Sequence, residues 1–256
     1  MICEVSWNQR LKALPGTIGV YVKDLENGEM YTYAPDAEVI AASVIKLFIM
    51  AEVFAQKEEG LLRLEETHVL KEKERLPSCG ALKAMHTGVV VTIGDLVHLM
   101  ITLSDNTATN ILIERLGIER IQERIDQMGL SHTHIRRMLF QPELSKQGID
   151  NTLTAADCGV FLEALYRGKV ISPSASADML KILFDQRLNG KMPFFLHSQG
   201  IACAHKTGED DGITHDVGLI QAAHPLVFCF LSEKTDVPQA ERLLQDMARE
   251  MAQINA

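Results

Sequence analysis

The feature that most constrains this chain is where its two kinds of hydrophobic pattern fall. Alternation of apolar and polar residues, the period of a half-buried strand, is confined to the two ends. Near the N-terminus, "TIGVYVKDLENGEMYTYAP" alternates on both sides of Asn27-Gly28, a pair that favours tight hairpin turns. Two antiparallel strands are expected, at about 17–25 and 29–34. After Gly200 the pattern returns in "IACAHKTG", "THDVGLIQA" and "LVFCFLS", the last two joined by a short turn through His224-Pro225. From about 43 to 197 the signals are helical. Thr92 with Asp95 and Thr154 with Asp157 pair as helix caps, Gly117 and Gly168 stand where glycine ends a helix, and Ser172-Pro173 opens another.

Strands separated by that much helix can still share one sheet. The expected fold is α+β, of the α/β sandwich type: an antiparallel five-stranded sheet flanked by terminal helices, with an inserted all-helical lobe. The terminal helices are read at about 4–14 and in "DVPQAERLLQDMAREMAQI". The chain forms one domain over 1–256, with a sheet lobe of 1–42 and 198–256 and a helical lobe of 43–197. Its 256 residues can bury a sizeable core. A cleft between two such lobes is a common place for a ligand.

Composition narrows the partners. A net charge of −9 argues against nucleic acid, which wants a basic face. No apolar run reaches membrane-spanning length. The five cysteines are widely spaced, with no CxxC and no Cys/His cluster of zinc spacing, so neither metal nor cofactor is expected. Cys158, Cys203 and Cys229 read as buried small hydrophobes in a reducing compartment. The N-terminus shows no basic segment followed by an apolar one, which predicts a cytoplasmic protein acting on a small molecule. His132, His134 and His205 read as surface or strand residues, and Met179 and Met192 as core filler.

The candidate chemistry begins at "AASVIKLFIM". Ser43 and Lys46 are three apart, on one face of a helix that is apolar nearly all round. Burial lowers a lysine's pKa, and a lysine near neutrality can take a proton from a serine hydroxyl. The plainer alternative is that Ser43 caps the helix and Lys46 snorkels to water. Ser104-Asp105-Asn106 falls between two predicted helices, as an exposed turn or an ordinary cap. Lys206-Thr207-Gly208 ends a predicted strand.

S-x-x-K, S-D-N and K-T-G in this order form a signature of class A β-lactamases and penicillin-binding proteins. The chain thus resembles the class A β-lactamase-like family of penicillin-recognising serine hydrolases, over essentially its whole length. The resemblance implies that Ser43 is the acylated nucleophile, that Lys46 activates it, and that Ser104 passes a proton to the leaving nitrogen. Asn106 would bind the substrate amide. Lys206 and Thr207 would bind a substrate carboxylate, followed by Gly208. The backbone N–H groups of Ser43 and Glu209 would form the oxyanion hole.

Two departures from the family pattern stand out. Its deacylating glutamate, in an E-x-x-L-N loop, aligns with Gln141 in "QPELS", and its asparagine with Ser145. Glutamine can hold a water but cannot accept its proton, so deacylation should suffer more than acylation. Glu143, two residues on, is a conceivable substitute or a solvated loop carboxylate. The second departure is the acidic run Glu209, Asp210 and Asp211, which either repels anionic substrates or points to solvent in a turn ending at Gly212. Other functions on the same framework are a non-catalytic ligand-binding protein and a serine-dependent glutaminase or esterase.

Overall fold

The computed structural model describes residues 4–254. In chain order the elements are α1 (Glu4–Ala13), β1 (Thr17–Asp24), β2 (Met30–Tyr33), β3 (Val39–Ile40), a 3-10 turn (Ala42–Ile45) and α2 (Lys46–Glu58). Next come β4 (Thr67–Val69), β5 (Val90–Thr92), α3 (Ile93–Thr102), α4 (Asn106–Leu116), α5 (Ile118–Gln127) and the single turn α6 (Pro142–Ser145). The chain continues through β6 (Thr152–Leu153), α7 (Ala155–Tyr166), α8 (Pro173–Phe184), β7 (Cys203–Asp210), β8 (Ile213–Gln221), β9 (Pro225–Glu233) and α9 (Val237–Ile254).

The five long strands form one antiparallel sheet in the order β2-β1-β9-β8-β7. The N-terminal pair therefore joins the C-terminal three through β1 against β9, with Tyr21 opposite Cys229. The sheet has an apolar core on each face. One face carries Val20, Val22, Phe228 and Phe230 against Trp7 of α1 and Leu244, Met247 and Met251 of α9. The other carries Tyr21, Val217, Val227 and Cys229 against the helical block. Helix α7 approaches this second face so closely that a Cβ on Gly159 would lie 2.4 Å from the Tyr21 ring. Helix α2 runs through the helical block with every residue from Lys46 to Gln56 buried.

The expected sheet and terminal helices match these elements, with local differences. Asn27-Gly28 does not make a two-residue turn: the ladder closes at Asp24 and Glu29, and Asp24 Oδ1 accepts the N–H groups of Glu26 and Asn27. That side-chain bonding stabilises a wider loop, with Gly28 left-handed at φ +79°. The stretch between α2 and α3 is not helical. Gly60, Pro77, Gly80 and Gly88 break it into 3-10 turns and the short β4–β5 pair. Strand β7 does not leave the sheet at Gly208 but continues through Asp210, which pairs with Ile213. Only Asp211 and Gly212 remain in the turn.

Candidate active site

Ser43 lies on the 3-10 turn that leads into α2, and it caps neither element. The cap positions are Ala41 and Ile45, and no side chain bonds at either. Lys46 is wholly buried, so it does not snorkel. Both plainer alternatives for the pair are thereby removed. Lys46 Nζ is 2.9 Å from Ser43 Oγ, 3.0 Å from Ser104 Oγ, 2.9 Å from Ser104 O and 2.8 Å from Asn106 Oδ1. The carbonyl of Ser104 and the amide oxygen of Asn106 can only accept. They take two N–H bonds, which suits a neutral amine with its lone pair left for a hydroxyl. Burial, and then the facing charge of Lys206, push the Lys46 pKa well below its ordinary value.

Ser104 owes its position to an uncommon backbone conformation. Its φ is +52°, in the left-handed region between α3 and α4. Asp105 next to it is wholly buried, and each carboxylate oxygen accepts a backbone N–H: Ala108 at 2.9 Å and Leu82 at 2.8 Å. Asp105 therefore caps α4 and also ties down the 77–84 segment. Gly80 is required there, since a Cβ on it would meet the Asp105 carboxyl at 2.2 Å.

Lys206 reaches the same point from the sheet. Its Nζ donates to Ser104 Oγ at 3.1 Å and to Thr207 O at 2.8 Å. Burial lowers its pKa to about 7, against the opposing charge of Asp216 and with a further push from Lys191. Ser104 Oγ thus lies between two lysine nitrogens, both biased toward giving up a proton.

The direction of the Glu209 N–H follows from the ladder. Gly208 and His215 are register partners, and the single Nζ of Lys191 reaches both their carbonyl oxygens, at 3.1 and 3.3 Å. One atom can do so only if both carbonyls point between the strands, as in a hydrogen-bonded antiparallel pair. The residues on either side of Gly208 then turn their N–H and C=O toward the free edge of β7. Consistent with this, His205 O accepts from Gln186 and Thr207 O from Lys206 Nζ, both outside the sheet. Glu209 N–H therefore faces the edge, where the 3-10 turn bearing Ser43 packs with Val44 against Gly208.

Along this edge runs a cleft of about 530 Å³ lined by Ser43, Asn106, Ser78, Gln141, Glu209 and Asp210, among others. Its far wall is the segment 137–150, clasped at its base. Arg137 Nη2 pairs with Asp150 at 2.7 Å, and Asn151 Oδ1 accepts the N–H groups of Arg136 and Arg137. The Asn110 side chain pins Leu139 through both its N–H and its C=O, and Phe140 is left-handed at φ +61°. Gln141 Oε1 accepts Met138 N–H at 2.9 Å, which leaves its second lone pair and the amide N–H groups to hold a water but no site that takes up a proton. Glu143 is exposed and does not line the cleft, whereas Ser145 does.

The acidic run does not act as one. Glu209 pairs with buried Lys191 at 3.1 Å, Asp210 lines the cleft, and Asp211 sits at the hairpin tip. Behind β7, His205 Nδ1 meets Asp216 Oδ1 at 2.8 Å, and Asp216 Oδ2 accepts Met192 N–H. His205 is wholly buried in this strand, while His132 is exposed and His134 half-buried. His215 Nε2 donates to Ile40 O and its Nδ1 accepts Ser232 N–H, so the ring is neutral, and burial pulls its pKa down to about 4. Lys191, Arg137, Asp150 and Asn151 were not foreseen from sequence. They belong to no short motif, and only a pairing of distant charges would have marked them. Cys158, Cys203 and Cys229 are buried free thiols, with Cys203 raised to about 12 by burial.

The chain is similar to known proteins over nearly its whole length. The profile described as "Beta-lactamase enzyme family" matches residues 5–254. Beta-lactamase ROB-1 of Haemophilus influenzae is 24% identical over 243 residues, covering 91% of this chain and 78% of that protein. The crystal structure of a beta-lactamase from Sphaerobacter thermophilus has 28% identity and a TM-score of 0.90, covering 98% of this chain and 96% of the other. PBP-A has 26% identity and a TM-score of 0.88, covering 98% and 94%. A variant of PBP-A, with the same identity and TM-score over 98% of this chain and 95% of its own, is an acyl-enzyme complex with penicillin G.

Proposed function

The chain belongs to the beta-lactamase enzyme family, and from that premise we propose a serine hydrolase that is acylated readily by β-lactams or related amides and esters but deacylates slowly. One observation carries the reading: a buried, neutral-leaning Lys46 within 3.0 Å of both Ser43 Oγ and Ser104 Oγ at the floor of an open cleft. Ser43 Oγ attacks the carbonyl carbon while its proton passes to Lys46. The N–H groups of Ser43 and Glu209 take the developing oxyanion. The C–N bond then breaks, and Ser104 delivers a proton to the departing nitrogen, supplied by Lys46 or Lys206. Asn106 offers its amide N–H to the substrate amide, since its oxygen is held by Lys46. A substrate carboxylate beside Lys206 and Thr207 favours the charged form of Lys206 as it binds.

Hydrolysis of the acyl-enzyme needs a group that accepts a proton from water. Gln141 occupies the cleft wall and cannot accept one, Glu143 is outside the cleft, and the carboxylates that do line it, Glu209 and Asp210, belong to β7 and not to the 137–150 wall. Intact-protein mass spectrometry after incubation with penicillin G should show a persistent adduct on wild type and none on Ser43→Ala. An equal adduct on both proteins, or on neither, overturns the nucleophile assignment. Nitrocefin should give a burst followed by slow turnover, and Gln141→Glu should speed the slow phase. A fast wild-type steady state overturns the deacylation assignment.

A further inference from the structure

Lys191 belongs to no motif, yet it holds the peptide unit that the mechanism uses most directly. We propose that Lys191 is a positioning residue for the oxyanion hole: its buried ammonium, bonded to Gly208 O, orients and polarises the Gly208–Glu209 peptide whose N–H faces the cleft beside Ser43. The inference rests on the reading of Ser43 as nucleophile.

The carbonyl of Gly208 and the N–H of Glu209 are the two ends of one planar, conjugated amide. A cation donating to the carbonyl oxygen draws charge toward it and leaves the N–H more positive, the cooperative effect seen along hydrogen-bond chains. That N–H is then a stronger donor to an oxyanion, and the plane of its peptide is fixed before substrate arrives.

Lys191 is itself held firmly. Its side chain is only 5% exposed, and Nζ contacts Gly208 O at 3.1 Å, His215 O at 3.3 Å and Glu209 Oε1 at 3.1 Å, with Glu241 of α9 at 3.7 Å. The next residue is anchored by Met192 N–H to Asp216. His215 links the other half of the hole to the same frame. Its carbonyl shares Lys191, while its ring donates at 2.9 Å to Ile40 O, just before the turn that carries Ser43. Both proposed oxyanion donors are thus referenced to one strand pair.

A simpler role for Lys191 would be to neutralise the Glu209 carboxylate near an anionic substrate. The two roles separate by mutation. In a hydrogen-bonded pair Gly208 O and His215 O already accept from the ladder, so removing Lys191 strands neither carbonyl. Lys191→Met, of similar length and apolar, should therefore fold.

The test uses the full chain as wild type, Lys191→Met, Glu209→Gln and the double variant. Stopped-flow acylation by nitrocefin gives the rate constant at saturation and the half-saturating concentration. Inhibition by phenylboronic acid gives a second readout. Its boron bonds to Ser43 Oγ, the hydroxyl proton passes to Lys46, and the anionic tetrahedral adduct places an oxygen in the hole. Lys191→Met should lower the acylation rate constant and the boronic acid affinity by about tenfold each, less than the loss of a whole donor. The half-saturating concentration should change less than about twofold, since substrate binding does not use the hole.

The same tenfold gap should separate Glu209→Gln from the double variant. If the gap closes in that background, Lys191 acts only by neutralising Glu209 and the inference is overturned. If wild type is acylated at Ser43 and Lys191→Met matches it, the inference alone falls. If wild type is not acylated, it falls together with the proposed function. Should Lys191→Met fail to fold by circular dichroism, Lys191→Gln, a neutral donor, carries the same comparisons.

Discussion

Replacing Lys206 by methionine should make the protein more stable and less able to react. Lys206 is wholly buried, and its pKa falls from the ordinary 10.5 to about 7, chiefly through burial. That drop corresponds to about 5 kcal/mol of unfavourable folding free energy. Below pH 7 the native and unfolded chains both hold the proton, so the full penalty applies. Between pH 7 and 10.5 the unfolded chain keeps the proton and the native chain has lost it, so stability rises with pH across that window. Lys206→Met removes the penalty at every pH. It also leaves Thr207 O without its Lys206 donor, which costs about 1–3 kcal/mol, whereas Ser104 Oγ keeps its contact with Lys46. The net expectation at pH 6 is a variant about 2–4 kcal/mol more stable than wild type. By pH 10 wild type should have regained about 4 kcal/mol relative to the variant. Urea unfolding at the two pH values, with slopes compared to confirm equal exposure, reads both numbers. A gap that does not change with pH, or a variant less stable at pH 6, would refute the claim that Lys206 is held against its solvation.

His215 predicts the opposite end of the pH range. Its pKa falls from 6.5 to about 4 on burial, so the unfolded chain takes up a proton that the native ring refuses, and stability is lost as pH drops through that window. The loss should reach about 3 kcal/mol, and His215→Gln should show a smaller fall in Tm between pH 7 and 4.5. Gly159→Ala should destabilise by about 1–3 kcal/mol despite alanine's better helix propensity, because its Cβ would strike the Tyr21 ring. In a Tyr21→Ala background the same change should become neutral or stabilising, a coupling that denaturant melts of the four proteins measure directly.

Much of the fold was legible in the chain because its signals are local. Strand alternation and helical periodicity each need only a few neighbouring residues, and the Thr92/Asp95 and Thr154/Asp157 caps form where they are read. Errors came where side chains overrule the local preference, as Asp24 does in widening the loop at Asn27-Gly28. The three short motifs were legible for the same reason. Each keeps its residues on one turn or strand, so their order in sequence survives as proximity in space.

What the sequence by itself determined is therefore the five long strands, the terminal helices and the capped helices between them, the three motifs, and the glutamine at position 141. The tertiary structure decided the rest, since each remaining feature depends on groups far apart in the chain. It made Lys46 a candidate base by burying it 3.0 Å from a serine 58 residues away and opposite the charge of Lys206. It put Gln141 on the cleft wall and Glu143 outside. It also turned Glu209 from a member of an acidic run into the partner of Lys191, with its N–H at the free edge of β7. Burial and charge pairing set a side chain's chemistry, and both depend on neighbours in space that no short stretch of sequence specifies.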